Sequence, residues 1–226
     1  MAQQRFVHRF SRPLQRALRR NVVTGTLYAL ASLRFSKKSW LRQVGWWESF
    51  RGRAAVDRRW KPIPWYTYPA IAFLDGRVRP EWDVFEYGSG SSTLWWAART
   101  ASVTACESDE AWFRKVDAGK PANVTLLLRG LGEGGYARTL EGYAGRFDVI
   151  VIDGFERNDC AALAAQALKP GGVVVWDNSD RDRYASGMDL LRSQGFRRVD
   201  FHGPGPGAVR GWCTSVFYRP DNCLGL

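Results

Sequence analysis

Residues 85–93 read FEYGSGSST, set between the apolar run WDVFEY (82–87) and the helical stretch WWAART (95–100). A strand that ends beside an acid, passes two glycines one residue apart and then enters a helix makes a ligand turn. Glycine tolerates positive φ and lets a bound group come close to the backbone. Which group the turn serves depends on its flanks, so the rest of the pattern is read first.

Beyond residue 81, short apolar runs alternate with helical stretches, the pattern of a parallel sheet built from βα units. Strands are expected at WDVFEY (82–87), SVTACE (102–107), NVTLLLR (123–129), FDVIVID (147–153), GVVVWD (172–177), FRRVDFH (196–202) and WCTSVFYR (212–219). Helices are expected at STLWWAART, DEAWFRKV, NDCAALAAQALK and DRYASGMDLLRSQ. Only GPGPGAVRG joins the last two strands, too short for a crossover helix, so they pair antiparallel. An ordinary dinucleotide domain would continue in parallel.

The flanks narrow the ligand. No Lys follows the glycines, which closes the nucleotide phosphate-loop reading. Thr93 stands where a dinucleotide turn carries its third glycine, which weakens that reading without closing it. What remains is Glu86, Tyr87, Gly88, Ser89, Gly90, Ser92 and Thr93 around a zwitterionic tail, with Ser91 or Ser92 capping the next helix. Glu107 ends the following strand, seventeen residues beyond Gly90, where a carboxylate can accept from both hydroxyls of a ribose.

Taken together, FEYGSGSST, VTACESDEAW, FDVIVIDG and LKPGGVVVWDNSDR resemble the successive motifs of class I S-adenosylmethionine-dependent methyltransferases, over residues 62–219. The resemblance implies an α/β, Rossmann-like, seven-stranded, mostly parallel sheet with an antiparallel last strand. It implies S-adenosylmethionine as cofactor, with Glu86, Gly88 and Gly90 at the methionine end, Glu107 at the ribose, and Ser108 and Asp109 at the ribose or adenine edge. Where the family often has an adenine-binding acid after the third strand, this chain offers Arg129 or Glu133.

Asp153 ends the fourth expected strand and Asp177 and Asn178 end the fifth, and adjacent strands lie about 4.8 Å apart, so three oxygen-bearing side chains converge at one sheet edge. Oxygen-only ligation suits Mg²⁺ or another hard divalent cation. The arrangement is similar to that of metal-dependent O-methyltransferases, in which the ion orients an acceptor hydroxyl. Without an ion, Asp153 serves as general base or orients the acceptor. Arg157, Asp159, Asp180 and Arg181 follow the same strands and are candidates for acceptor binding or surface ion pairs; His202 is expected to support a turn. Tyr66, Thr67 and Tyr68 either cover the sulfonium or belong to the core. No N-P-P-Y or D-P-P-Y stands at the fourth strand, which argues against amino-group methylation of adenine, and no P-C pair stands there for cytosine C5 chemistry; an oxygen acceptor, on a small molecule, sugar or glycan, is expected.

Ahead of this region the chain changes character. Residues 1–85 hold 17 Lys and Arg against 5 Asp and Glu, and the remainder is near neutral. A basic, aromatic, helical extension (1–61) before a methyltransferase domain (62–226) is the expected organisation. Clustered positive charge fits RNA, a membrane surface or an acidic substrate, and RNA methylation is the alternative activity. Arg5, Arg9, Arg12, Arg16 and Arg19 fall on one helical stripe, with His8 solvated beside it. The 36–80 segment, rich in Trp and Pro, is expected to cover the cofactor or shape the acceptor pocket. VVTGTLYALASL (22–33) falls short of the roughly 18 apolar residues of a spanning helix. The four cysteines show no C-x-x-C pairing, so neither disulfides nor zinc are expected and a reducing, cytoplasmic location, peripheral to a membrane, fits.

Overall fold

Seven strands form one sheet: β1 (Asp83–Tyr87), β2 (Ser102–Glu107), β3 (Val124–Leu128), β4 (Phe147–Ile152), β5 (Leu168–Asp177), β6 (Arg197–Pro204) and β7 (Gly211–Tyr218). Their spatial order is β3-β2-β1-β4-β5-β7-β6. The computed structural model describes residues 21–226; the Arg stripe and His8 lie outside the described residues. The helices are α1 (Val22–Phe35), α2 (Trp40–Gln43), α3 (Trp46–Gly52), α4 (Tyr68–Asp75), α5 (Ser91–Ala97), α6 (Glu110–Asp117), α7 (Arg157–Ala167) and α8 (Ala185–Ser193).

Strands β1 to β5 are parallel, and runs such as Val149–Ile152 and Val173–Val175 are fully buried, as a sheet covered by helices on both faces requires. Register sets up the site. Tyr87 pairs with Cys106 on one side and Ile152 on the other, and Ile152 pairs with Trp176. Glu86, Glu107, Asp153 and Asp177 therefore all reach the carboxyl edge. The chain leaves β1 toward β2 and β3, then returns to place β4 on the other flank, which makes the β1/β4 boundary the switch point where ligands of such sheets bind.

Strand β7 is antiparallel to both β5 and β6 and sets Thr214 opposite Asp177. One boundary differs from the sequence expectation: α7 stops at Ala167 and β5 starts at Leu168, taking in the K-P-G-G run. Pro170 disfavours the helical region for Lys169 and lacks the N–H to continue the helix, while Gly171 takes φ +76°.

The chain divides into two compact units, residues 1–61 with Pro206–Ala208, and Pro62–Gly205 with Val209–Leu226. In the described part of the first, Trp46 stacks on Phe50 with centroids 5.1 Å apart, and its indole N–H donates to the Ala208 carbonyl at 2.8 Å. The core of the second gathers Phe85, Tyr87, Phe147, Ile150, Ile152, Trp176 and Phe217. Among the described residues no helix is long and apolar enough to cross a membrane.

Candidate active site

The glycine turn is held by a relay that starts from the missing third glycine. Gly90 N–H donates to Thr93 Oγ1 at 2.9 Å, and the Thr93 hydroxyl donates in turn to Glu86 Oε2. Thr93 is fully buried. The serines do not cap α5 as expected: Ser91 is its first residue, Gly90 is the N-cap, and the Thr93 hydroxyl serves the Gly90 N–H instead. Gly88 (φ +97°) donates its N–H to Cys106 O at 2.8 Å and lies so near the end of β4 that a Cβ there would stand 3.4 Å from Gly154 Cα.

Glu86 is 1% exposed, and its pKa is pushed up to about 8. Burial is the main cause, opposed by the Ser92 and Thr93 hydroxyls and reinforced by Asp153 and Glu107. Glu107 is fixed from both oxygens: Oε2 accepts from Ser89 Oγ at 2.9 Å, and Oε1 from the N–H groups of Ser108 and Asp109 at 2.8 and 3.0 Å.

Other expected cofactor contacts are redirected. Tyr87 turns its ring into the core and donates its hydroxyl to Ala137 O at 2.8 Å, so only its main chain belongs to the turn. Asp109 caps α6, accepting from Trp112 N–H at 2.8 Å. Arg129 folds back on the Leu128 carbonyl and Glu133 is exposed, so neither is a buried acid after β3. A residue given no role in the sequence reading, although it ends the VTACESDEAW motif, takes a place here: Trp112 donates its indole N–H to Ser89 O at 2.8 Å, and its ring lies 3.6 Å from where a Cβ on Gly90 would be.

Asp153 and Asp177 do come together, around a guanidinium. Arg157, the first residue of α7 and 8% exposed, donates Nε to Gly154 O at 2.8 Å and Nη2 to both O and Oδ1 of Asp153 at 2.9 and 3.0 Å; Nη1 reaches the Asp177 carbonyl. The sequence reading offered Arg157 as an acceptor contact or surface ion pair; it is a buried clamp between β4 and β5. A signal was available, since a cation at the positive end of a helix is unfavourable unless something nearby engages it.

A divalent cation at Asp153, Asp177 and Asn178 would have to share the site with the Arg157 guanidinium. The charge such an ion would bring beside Asp153 is already supplied by Arg157, and two cations this close in a buried site repel strongly. Asp177 directs Oδ1 to Trp212 Nε1 at 2.9 Å and Thr214 Oγ1 at 2.6 Å, and Asn178 takes φ +53° in the turn that follows β5. Burial and the neighbouring Asp153 raise the Asp177 pKa to about 7, against the bonds from Thr214 and Trp212. The Asp153 pKa is raised by burial, with Arg157 and then Arg181 opposing.

Tyr66 completes the group. Its hydroxyl accepts from Trp96 Nε1 at 3.4 Å, and burial with the nearby Glu86, Asp153 and Asp177 keeps it protonated. Thr67 instead ties β6 to β7, donating N–H to Thr214 Oγ1 at 3.0 Å and Oγ1–H to Phe201 O at 2.9 Å, and Tyr68 opens α4 as a buried residue. Asp159 and Arg181 are exposed, and Asp180 accepts from Cys213 N–H at 3.0 Å. His202 lies within β6 rather than in a turn. Its ligand atom and those of Asp200 and Cys213 fall within 4.8 Å of one another, though Arg198 and Ser215 already engage the Asp200 carboxylate.

No protein-family profile matches the chain, and no curated protein sequence matches it. Solved structures do. A precorrin-6y C5,15-methyltransferase from Geobacter metallireducens aligns at a TM-score of 0.52 and 13% identity, over 67% of this chain and 87% of its own. An rRNA methylase from Streptococcus thermophilus aligns at 0.46 and 14%, over 67% and 95%. A methyltransferase-like protein from Silicibacter pomeroyi aligns at 0.44 and 22%, over 70% and 89%. With the observed strand order, the fold is that of the class I S-adenosylmethionine-dependent methyltransferases.

Proposed function

We propose that the chain binds S-adenosylmethionine at the β1 turn and methylates a hydroxyl oxygen of a small molecule, sugar or glycan. The observation that carries the reading is Glu86, a buried acid that Thr93 ties to Gly90 at the glycine turn. The cofactor's methionine end brings an ammonium group to such a turn. Gly88 and Gly90 add no side chain to the turn where it would lie, and Glu107, oriented by Ser89, suits a ribose diol.

When bound, the cofactor supplies an electrophilic methyl group on a sulfonium. The residues do the rest. Asp177, with a pKa of about 7, can take the proton that an acceptor hydroxyl loses. Arg157 holds Asp153 and the ends of β4 and β5 in register, and Tyr66, near enough to Asp153, Asp177 and Glu86 to feel their charge, stays protonated. Exposed Arg181, within electrostatic reach of Asp153, is placed to meet a polar or anionic acceptor. In-line transfer depends chiefly on positioning, which a rigid, hydrogen-bonded edge favours.

Calorimetry with S-adenosylhomocysteine and with NAD(H) tests the cofactor, since binding of NAD(H) alone would overturn the assignment. Methyl transfer from labelled cofactor into fractionated extract then tests the acceptor. Activity is expected to be indifferent to EDTA, because the guanidinium occupies the cation position; full restoration by Mg²⁺ after chelation would contradict this. RNA as acceptor remains the second reading, favoured by the basic front of the chain with exposed Trp40, Trp60 and Trp65, and predicts RNA affinity that falls steeply with salt.

Two pH effects follow from the raised carboxyls. Asp177 acts as a base only when ionised, so the rate should climb as pH rises through about 7; Asp177→Asn should flatten that limb and lower kcat by roughly 10²–10⁴-fold. Folded Asp177 and Glu86 keep protons that unfolded carboxyls release near pH 4, so stability should fall as pH rises from there through about 7 and 8. Cofactor binding at pH 7 should release a proton from Glu86. Calorimetry in buffers of different ionisation enthalpy reads this directly, and Glu86→Gln should abolish the release.

A further inference from the structure

Helix α1 reads VVTGTLYALASLRF, with one charge, Arg34, in 14 residues, and none of its side chains is buried. It starts on a proper cap, Asn21 Oδ1 accepting from Val23 N–H at 2.9 Å, and its inner face is tied to the following segment by Ser39 Oγ and Trp47 Nε1, which both donate to Leu33 O. Its orientation is inverted. The half-buried positions include Thr24, Gly25 and Ser32, whereas Val22, Val23, Leu27, Leu30 and Leu33 point outward, with Leu27 62% and Leu30 57% exposed. A water-facing helix does the reverse, and a contiguous apolar stripe of this kind marks a surface that something else covers.

The ends of the helix say what covers it. The first acid in the sequence is Glu48, and ten Lys and Arg precede it. Arg16, Arg19 and Arg20 stand before α1; Arg34, Lys37, Lys38 and Arg42 stand at and beyond its end, followed in exposure by Trp40. The outward stripe carries no charge, and the cations are gathered at its two ends. Apolar side chains between basic termini match the acyl boundary of an anionic bilayer with its phosphate headgroups, and Trp favours the same depth. RNA would need the cations on the exposed face, and a second copy would oppose two segments that lack any acid. At 1.5 Å per residue the helix is about 21 Å long, against about 30 Å of hydrocarbon, so it cannot cross.

We propose that α1 is an in-plane anchor that seats this protein on an anionic membrane. The inference stands apart from the methyl-transfer reading. The test is co-sedimentation of the full chain with large vesicles of phosphatidylcholine, with and without 30 mol% phosphatidylglycerol, at about 0.1 M salt, where charge attraction persists. Binding is expected to the anionic vesicles and to be at least about tenfold weaker to the neutral ones. Leu27→Glu with Leu30→Glu should lower it by a similar factor, and Lys37→Glu with Lys38→Glu should erase the lipid preference. All four positions are exposed, so S-adenosylhomocysteine binding and the circular dichroism spectrum serve as folding controls.

Wild-type protein left in the supernatant with anionic vesicles would overturn the proposal. So would a leucine double variant that binds like wild type, which would assign the attraction to the basic residues alone. Tight RNA binding without vesicle binding, or a dimer that the leucine variant dissociates without vesicle binding, would replace it with another partner.

Discussion

Replacing Gly88 with valine is expected to abolish measurable S-adenosylhomocysteine binding while the sheet stays folded. The residue sits at φ +97°, where a β-branched side chain is strained by roughly 1–3 kcal/mol. Its Cβ would stand 3.4 Å from Gly154 Cα, 3.5 Å from Gly154 N and 3.6 Å from the Asp153 carbonyl carbon. The γ-methyls would then press on the end of β4 or fill the space above the turn, where the methionine tail is proposed to lie. A loss of about 3 kcal/mol or more is over a hundredfold in affinity. Titration calorimetry reads the outcome, with circular dichroism to verify the fold; wild-type affinity would refute the placement of the cofactor. Gly154→Ala should instead disturb the core beneath the turn and lower the melting temperature, because a Cβ there would come within 1.9 Å of the buried Tyr136 hydroxyl.

Arg157→Leu is expected to be the most destabilising single change at the site. It deletes every bond the guanidinium makes to the carbonyls of Asp153, Gly154 and Asp177 and leaves the Asp153 carboxyl without its partner. Breaking a buried pair by removing one member costs about 3–5 kcal/mol, or a fall in Tm of roughly 6–20 °C for a chain of this size. Arg157→Lys should recover little, because an ammonium group cannot reproduce the planar fork that spans both strand ends. A thermal scan in which Arg157→Leu melts within about 2 °C of the parent would remove the clamp from the account of this site.

These two residues also mark how far the sequence could be read. The strands and their direction were legible because their patterns are local: apolar runs of strand length, helical periods between them, and a connection too short for a crossover before β7. That Gly88, Gly90, Glu86 and Glu107 gather at the carboxyl edge of the sheet was legible for the same reason. The absence of a third glycine was visible, but not that Thr93 would join Gly90 to Glu86, since that needs the hydroxyl aimed back into the turn. Arg157 was misjudged because three of its acceptors are backbone carbonyls on two strands, and no side-chain pattern encodes where carbonyls converge. The bonds of Asp177 were not legible for a related reason: they come from Trp212 and Thr214, brought alongside only by the antiparallel insertion of β7. Trp112 reached the turn through the docking of α6, which its amphipathic pattern does not specify.

The position of β7 bears on how this chain is made. Synthesis delivers β6 before β7, yet β7 is the strand that pairs with β5, and β6 reaches the sheet only through it. Until β7 leaves the ribosome, Val174 to Asp177 form an open edge on an apolar strand, the kind of template that recruits other chains. A nascent chain stopped in the GPGPG connection would therefore expose what later becomes the middle of the sheet, and quality control would meet it as an aggregation hazard.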